Sequence, residues 1–296
     1  MIVGRQPILA RRFFDRLEPV HAVTYFAPEA RAALDGLGFR GFWMGYFAAR
    51  SAPIGVVPAE VVTATFYNFA AQRVAKALPA AWEIVSPADA LRAREQSAVE
   101  ALRRYGVGTD DDVETAAELA AKAARGAPLD GRPLFAANLA LNWPDEPVAK
   151  LWHATTLLRE QRGDGHVAVL ASLGISGRES NVLHAAAGKV PKEMIMRSRD
   201  YDDEQWALHR DRLVARGLLD DNDELTAAGR ELKQRIEDTT DELALGGLEA
   251  LDDGEVEALF RSLTPITRKV VAAGDVPQFT PMGLGRDDLD DDSSHL

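Results

Sequence analysis

The strongest constraint on the fold of this 296-residue chain is a helical spacing of apolar residues along nearly its whole length. Apolar side chains recur three and four positions apart, and no long alternation of apolar and polar residues typical of a half-buried strand occurs. Proline stands where helices are expected to begin and glycine where they are expected to end. The sequence therefore predicts an all-α protein, with helices at residues 9–17, 28–37, 42–50, 58–69, 87–105, 112–125, 146–161, 166–173, 178–187, 192–199, 203–216 and 227–245.

One short segment departs from this pattern. Two apolar pairs, at residues 218–219 and around Leu225, flank an acidic turn at residues 220–223. Asp and Asn tolerate the backbone of a tight turn, so the segment predicts a small β-hairpin, and Thr226 is expected to cap the helix that follows. The order of helix, hairpin and trailing helix is that of a winged helix-turn-helix, with residues 203–216 as the recognition helix and the hairpin as the wing.

The same segment resembles the MarR-type winged-helix regulators. Leu213, Gly217 and Leu218 match the end of their recognition helix, and Leu225-Thr226-Ala227-Ala228-Gly229 matches the start of their trailing helix. The resemblance covers roughly residues 147–245. It implies a winged-helix fold and, by analogy, a ligand-responsive regulator that associates with DNA.

Over its whole length the chain also resembles a family of uncharacterised actinobacterial helix-turn-helix proteins. This resemblance implies a fold and no activity. The segments that carry it are Tyr46-Phe47-Ala48-Ala49-Arg50, residues 58–64, residues 66–69, Arg162-Gly163-Asp164-Gly165-His166 and residues 236–241.

The sequence predicts four consecutive segments. They are an N-terminal helical domain at 1–127, a winged-helix domain at 128–246, a C-terminal helical extension at 247–286 and a disordered tail at 287–296, which holds five aspartates and no apolar pattern. A faint similarity of residues 21–24 to residues 153–156 indicates that the N-terminal domain is a divergent duplicate of the winged-helix domain. Chance similarity between alanine-rich helices is the alternative interpretation.

The composition excludes several kinds of site. Without cysteine the chain forms no disulfide, no cysteine-ligated zinc site and no thiolate nucleophile. The six histidines include no His-Glu-x-x-His motif and no pair at helical spacing, so no metal site is predicted. No phosphate-binding loop and no known nucleophile motif occurs, and the cofactor, if any, stays unknown. No apolar stretch is long enough to span a bilayer and no signal peptide is evident, so the predicted location is the cytoplasm.

The densest polar cluster, at residues 162–166, predicts a ligand site at the junction of the two halves. Two glycines allow close approach of a partner, and Arg162, Asp164 and His166 supply an anion-binding fork, a carboxylate and an imidazole. The aromatic run of the first half is expected to line a pocket for a planar ligand, or else to form only a core. The full predicted ligand set is His21, Tyr46, Tyr67, Arg162, Asp164, His166 and His184. The alternative for the cluster is a surface turn in which Asp164 caps the next helix.

The charge distribution opposes simple DNA binding. The net charge is −12, and residues 201–296 hold 24 acidic residues against 10 basic ones. The start of the predicted recognition helix and the predicted wing are both acidic, where phosphates would approach. The predicted DNA contacts are His209, Arg210, Arg212 and Arg216.

Two functions therefore stay open. The first is a DNA-associated regulator that senses a small molecule. The second is a winged-helix scaffold that does not bind DNA and uses the polar cleft to bind or transform a small molecule. The sequence decides neither catalysis nor ligand identity nor oligomeric state.

Overall fold

The computed structural model describes residues 4–278, 280, 286 and 288–294, and these residues form α-helices joined by short connections, with no β-strand among them. Short 3-10 turns at Ala52–Ile54 and Leu245–Leu248 complete the regular structure. No helix in the described part of the chain has both the length and the apolar character needed to cross a membrane. The α-helices are α1 Pro7–Phe26, α2 Pro28–Gly36, α3 Gly41–Ser51, α4 Ala59–Phe66, α5 Ala71–Ala77, α6 Ala80–Ile84, α7 Pro87–Arg104, α8 Asp111–Gly126, α9 Pro133–Leu139, α10 Pro147–Ser172, α11 Gly177–Ala186, α12 Lys192–Arg199, α13 Asp203–Ala215, α14 Ala227–Ala244 and α15 Asp253–Ala273.

The longest helix, α10, joins two of the three hydrophobic cores. Its 26 residues span about 39 Å at the usual rise per residue. The first half of α10, including Leu151 and Leu157, packs with α1, α7, α8 and α15 around the first core. Its last turns place Val169 and Leu170 in the third core, with α11 to α14. The second core is aromatic and lies in α3 to α6, around Phe47.

The predicted β-hairpin wing is wrong for the described residues, whereas the all-α class is confirmed. Between α13 and α14 the backbone forms a single isolated antiparallel bridge, Leu219 with Leu225. The Asp220 carboxylate accepts hydrogen bonds from the backbone N–H groups of Asn222 and Glu224, each at 2.9 Å, so the turn closes on a side chain. Arms of two residues are too short for a strand ladder. The hairpin on which the winged-helix interpretation depends therefore does not form.

The predicted break between two helices at residues 162–166 is also wrong. This segment lies inside α10, with glycines in mid-helix. Asp164 does act as a cap, but for a different helix: its carboxylate accepts hydrogen bonds from the backbone N–H groups of Leu134 and Phe135 at the start of α9, each at 2.9 Å. The local sequence thus predicts that Asp164 caps a helix, but the tertiary structure determines that this helix is α9.

Residues 288–294 lie against α1 and α15. Asp288 forms ion pairs with Arg12 and with Arg16, whose side chain is fully buried. Leu289 is buried as well. These contacts count against the expected disordered tail, although residues 287, 295 and 296 lie outside the described residues. The other predicted segment boundaries and the duplication stay predictions.

Candidate functional site

A cavity of about 460 Å³ lies where the three cores meet. Its walls come from α1, α3, α4, the middle of α10, α11, α12 and α14. Cavities of this size are typical of sites for small organic molecules. The cavity is therefore the first candidate for a functional site.

The structure brings most of the predicted ligand residues to this cavity. Tyr46, Arg162, Asp164, His166 and His184 line it. Arg162 and His166, four positions apart, lie on one face of α10, while Tyr46 comes from α3 and His184 from α11. Their role in binding stays a prediction.

Two predicted ligand residues lie elsewhere. His21 is fully buried, and its ring nitrogens lie 2.9 Å from the Thr156 hydroxyl and 3.0 Å from the Tyr25 hydroxyl. Tyr67 donates its hydroxyl to the backbone carbonyl of Ile175 at 2.6 Å. It thereby ties the turn after α4 to the start of α11. Both residues support the walls of the cavity from behind.

A row of alternating basic and acidic side chains connects the cavity wall to the first core. Glu160 accepts hydrogen bonds from Arg50, at 3.1 and 3.2 Å, and from Arg159, at 2.8 Å. Burial opposes its ionisation, but the two arginines hold the pKa of Glu160 well below its usual range. Arg159 also binds Glu18, where full burial outweighs the arginine and raises the pKa to about 7. Glu160 is thus a fixed negative charge between two cations.

A second set of ion pairs closes the side formed by α14. Glu237 pairs with Arg11 and with Lys233. Arg162 donates to Asp241 at 2.6 Å and lies over the Phe14 ring, 4.4 Å from its centroid. Every carboxylate of this wall is therefore matched by a cation.

Three nitrogen atoms of the cavity lining are buried and have no hydrogen-bond partner in the described part of the chain. They are Arg162 Nε, Arg199 Nε and His184 Nε2. Buried polar groups are nearly always satisfied, so three such atoms in one cavity indicate room for an acceptor. Arg199 is not among the ligand residues predicted from the sequence. Nothing local distinguishes it from the other basic residues of α12.

Both cavity histidines are neutral near pH 7. Burial lowers the pKa of His166 to about 3 and that of His184 to about 4, and Lys233 adds to the effect on both. His166 Nδ1 lies 3.0 Å from the Thr240 hydroxyl oxygen, while that hydroxyl donates to the Ile236 carbonyl. The oxygen must then accept from Nδ1–H, which leaves Nε2 of His166 as the unprotonated nitrogen.

Helices α12 and α13 have the spacing of a helix-turn-helix. Residues 200–202 join them, and Asp200 adopts the left-handed conformation with φ 62°. The Arg73 guanidinium of α5 donates to the Asp200 carboxylate at 2.6 Å. The turn is thus fixed to the aromatic core of the first half.

The predicted DNA-contact residues are mostly committed to contacts within the protein. Arg210 pairs with Asp211 and with Asp223 of the acidic turn. Arg216 donates to the Gly174 carbonyl at 2.8 Å, near the end of α10. His209 is half-buried, and Arg212 is exposed. Of the three arginines, only Arg212 makes no side-chain hydrogen bond or ion pair among the described residues, and Arg216, which is exposed, keeps an unbalanced charge.

A comparison with protein families matches residues 10–277 to a family described as a helix-turn-helix family. Comparisons with curated proteins and with solved structures found no match. The family match spans the cavity, the helix-turn-helix and all three cores. It supplies no ligand and no activity.

Proposed function

Because this chain belongs to a helix-turn-helix family, we propose that it is a helix-turn-helix protein that binds a small organic molecule in the cavity where its three cores meet. The observation that carries the proposal is that three side-chain nitrogens without a hydrogen-bond partner among the described residues belong to residues that line one aromatic-walled cavity. A small molecule with an acceptor group would satisfy these donors and fill the apolar space.

Gly163 supports the proposal independently. A glycine inside a helix costs up to about 1 kcal/mol relative to alanine. A Cβ at Gly163 would meet only the Glu160 carboxylate, at 3.6 Å, and the Arg159 guanidinium, at 3.9 Å, so packing does not require a glycine there. The missing side chain instead leaves space in the cavity that Gly163 lines.

The position of the cavity would couple its occupant to the helix-turn-helix. Met194, Ser198 and Arg199 of α12 line a cavity whose other walls belong to α1, α3, α4, α10, α11 and α14. A ligand that contacts both sides would hold α12 in one position relative to the rest of the molecule. Ligand-dependent placement of α12 is the form of regulation that this arrangement favours.

DNA association is the second candidate function, and family membership is what favours it. The surface of α13 does not. Asp203, Glu204 and Asp211 are exposed there, and they would oppose the phosphate field. We infer that the cavity, rather than α13, is the principal functional site.

Three probes that share the naphthalene ring and carry an anionic, a neutral or a cationic substituent test small-molecule binding: 2-naphthoate, 2-naphthamide and 2-naphthylmethylamine. We expect at least one to bind with one-to-one stoichiometry in isothermal titration calorimetry. Gly163→Phe should abolish this binding because its ring fills the cavity. Gly163→Ala is the matched control and should retain it. Failure of all three probes, or unchanged binding by Gly163→Phe, would overturn the proposal.

A further inference from the structure

We propose that the occupant of the cavity is a planar aromatic anion, such as a polycyclic aromatic carboxylate. This inference rests on the proposed function, because it names the chemical class of the molecule bound at the same site. Three features carry it: the charge balance of the cavity, the chemistry of its unpartnered nitrogens and the arrangement of its aromatic walls.

The described lining residues carry an excess of positive charge, with seven basic side chains and three carboxylates. The carboxylates are already occupied. Glu160 and Glu237 are paired with basic side chains, and Asp164 accepts two backbone N–H groups of α9. Arg199 forms an ion pair with no carboxylate among the described residues. Arg199 is therefore a cation of the cavity wall whose charge no carboxylate of the described residues balances.

The free donors have the chemistry of an anion site. Arg162 Nε and Arg199 Nε are guanidinium donors, and such donors match the planar geometry of a carboxylate. His184 is neutral because burial and Lys233 lower its pKa to about 4, so it can add one N–H without a further charge. Three elements, α10, α11 and α12, thus each offer one donor.

The walls select a flat ligand body. Phe42 and Tyr46 are nearly parallel, with ring centroids 6.0 Å apart. The Arg199 guanidinium lies over the Phe69 ring, 4.3 Å from its centroid, which brings the free cation beside an aromatic face. A ring system against these side chains with an anionic group towards Arg199 satisfies both surfaces. A cationic ligand would instead meet the excess positive charge.

The three naphthalene probes also test this inference on the full-length protein. We expect 2-naphthoate to bind at least tenfold more tightly than the neutral 2-naphthamide, and the cationic amine to bind most weakly. Arg199→Gln should weaken 2-naphthoate binding at least tenfold and leave 2-naphthamide binding unchanged. Lys192→Gln removes one charge from the same helix outside the cavity, so it should change neither affinity.

The outcomes separate this inference from the function on which it rests. Equal affinities for the anionic and neutral probes, or unchanged 2-naphthoate binding by Arg199→Gln, would overturn the inference while small-molecule binding stands. Equal weakening of 2-naphthoate binding by Arg199→Gln and Lys192→Gln would show that only long-range charge matters. That result would also overturn the inference. Absence of binding by every probe would overturn both proposals. Circular dichroism and the melting temperature of each variant show whether it is folded.

Discussion

At the residue scale, two glycines of this chain have opposite structural roles. A Cβ at Gly229, in the first turn of α14, would lie 2.1 Å from the backbone oxygen of Leu218. Gly229 is therefore required where α14 meets the chain after α13, and this close approach accounts for the glycine of the Leu225-Thr226-Ala227-Ala228-Gly229 run. Gly163 faces open space instead. Sequence alone cannot separate the two cases.

The same substitution at these glycines should therefore give opposite results. We expect Gly229→Ala to lower the free energy of unfolding by about 1 to 3 kcal/mol, because backbone must move to admit the methyl group. Gly163→Ala should raise it by about 0.5 to 1 kcal/mol, through lower chain entropy in the unfolded state. Urea denaturation measures both changes. A stabilising Gly229→Ala would show that the contact with Leu218 is wrong.

The buried histidines should make stability depend on pH. The pKa of His184 is about 4 in the folded protein and near 6.5 in the unfolded chain, so between these values the unfolded chain binds more protons. Stability from this group is thus present above pH 6.5 and is lost as the pH falls towards 4. Glu18 and Asp164 act in the opposite direction, because burial raises their pKa values to about 7 and about 6.

A histidine variant isolates this effect from the carboxyl groups. We expect the free energy of unfolding of the unmodified protein to fall more between pH 7 and pH 5 than that of His184→Gln, by about 2 kcal/mol. Urea titrations of the two proteins at both pH values give the difference, in which Glu18 and Asp164 cancel. Parallel behaviour of the two proteins would mean that His184 is protonated as readily as in the unfolded chain.

At the element scale, periodicity predicted the helices well and their connections poorly. Residues 192–199 were predicted as the helix that the structure contains, and most other predicted helices overlap an observed one. Two failures have different causes. The cap donors of Asp164 belong to α9, some thirty residues earlier in the chain, and no local pattern contains them. The turn at Asp220 is closed by neighbouring residues, but its arms are too short to form strands.

The candidate site was predictable only in part, for the same reason. Tyr46, Arg162 and His166 were identifiable because unusual residues cluster in the sequence. Arg199 was not identifiable, because what marks it as a candidate is burial without a carboxylate partner. That property depends on how the helices pack around the cavity. His21 shows the reverse error: it looked like a site residue and is buried behind the wall.

The acidic C-terminal segment supplies an element-scale prediction. Asp288 and the backbone oxygens of Asp288 and Asp291 accept hydrogen bonds from the buried Arg16 guanidinium, at 2.6 to 2.9 Å. Deletion of residues 287–296 should lower the free energy of unfolding by about 2 to 3 kcal/mol, because it leaves charged donors unpaired. Thermal and urea unfolding measure the loss.

Two point variants control for the deletion. Asp288→Asn should reproduce part of the loss, whereas Asp290→Asn, at an exposed position, should be neutral. An unchanged stability after deletion would restore the disordered tail expected from the sequence.

At the scale of the whole molecule, the exposed charges around α13 oppose the approach of DNA phosphates. Three exposed carboxylates, Asp203, Glu204 and Asp211, surround its free surface, and the neighbouring turn is acidic. Asp223 also neutralises Arg210. The chain therefore belongs to a helix-turn-helix family, while the acidic surface of α13 argues against DNA binding through that helix.

Reversing this charge should strengthen any binding of DNA at α13. We expect Asp203→Lys/Glu204→Lys/Asp211→Lys to strengthen non-specific duplex binding and to steepen its salt dependence, measured by fluorescence anisotropy. The matched control, Asp111→Lys/Asp112→Lys/Glu114→Lys at the start of α8, makes the same charge change away from the helix-turn-helix. Tight binding by the native protein at physiological salt, lost in Arg212→Ala, would instead identify α13 as a DNA-reading helix.

The long helix α10 limits how the chain can be dissected. Leu151 and Leu157 of α10, together with Leu259 and Leu263 of α15, belong to the same core as Phe13 of α1. A polypeptide cut in the connection at residues 127–132 would leave its N-terminal piece without those apolar partners. Expressed alone, that piece should be aggregation-prone, and co-expression of both pieces should rescue it by fragment complementation.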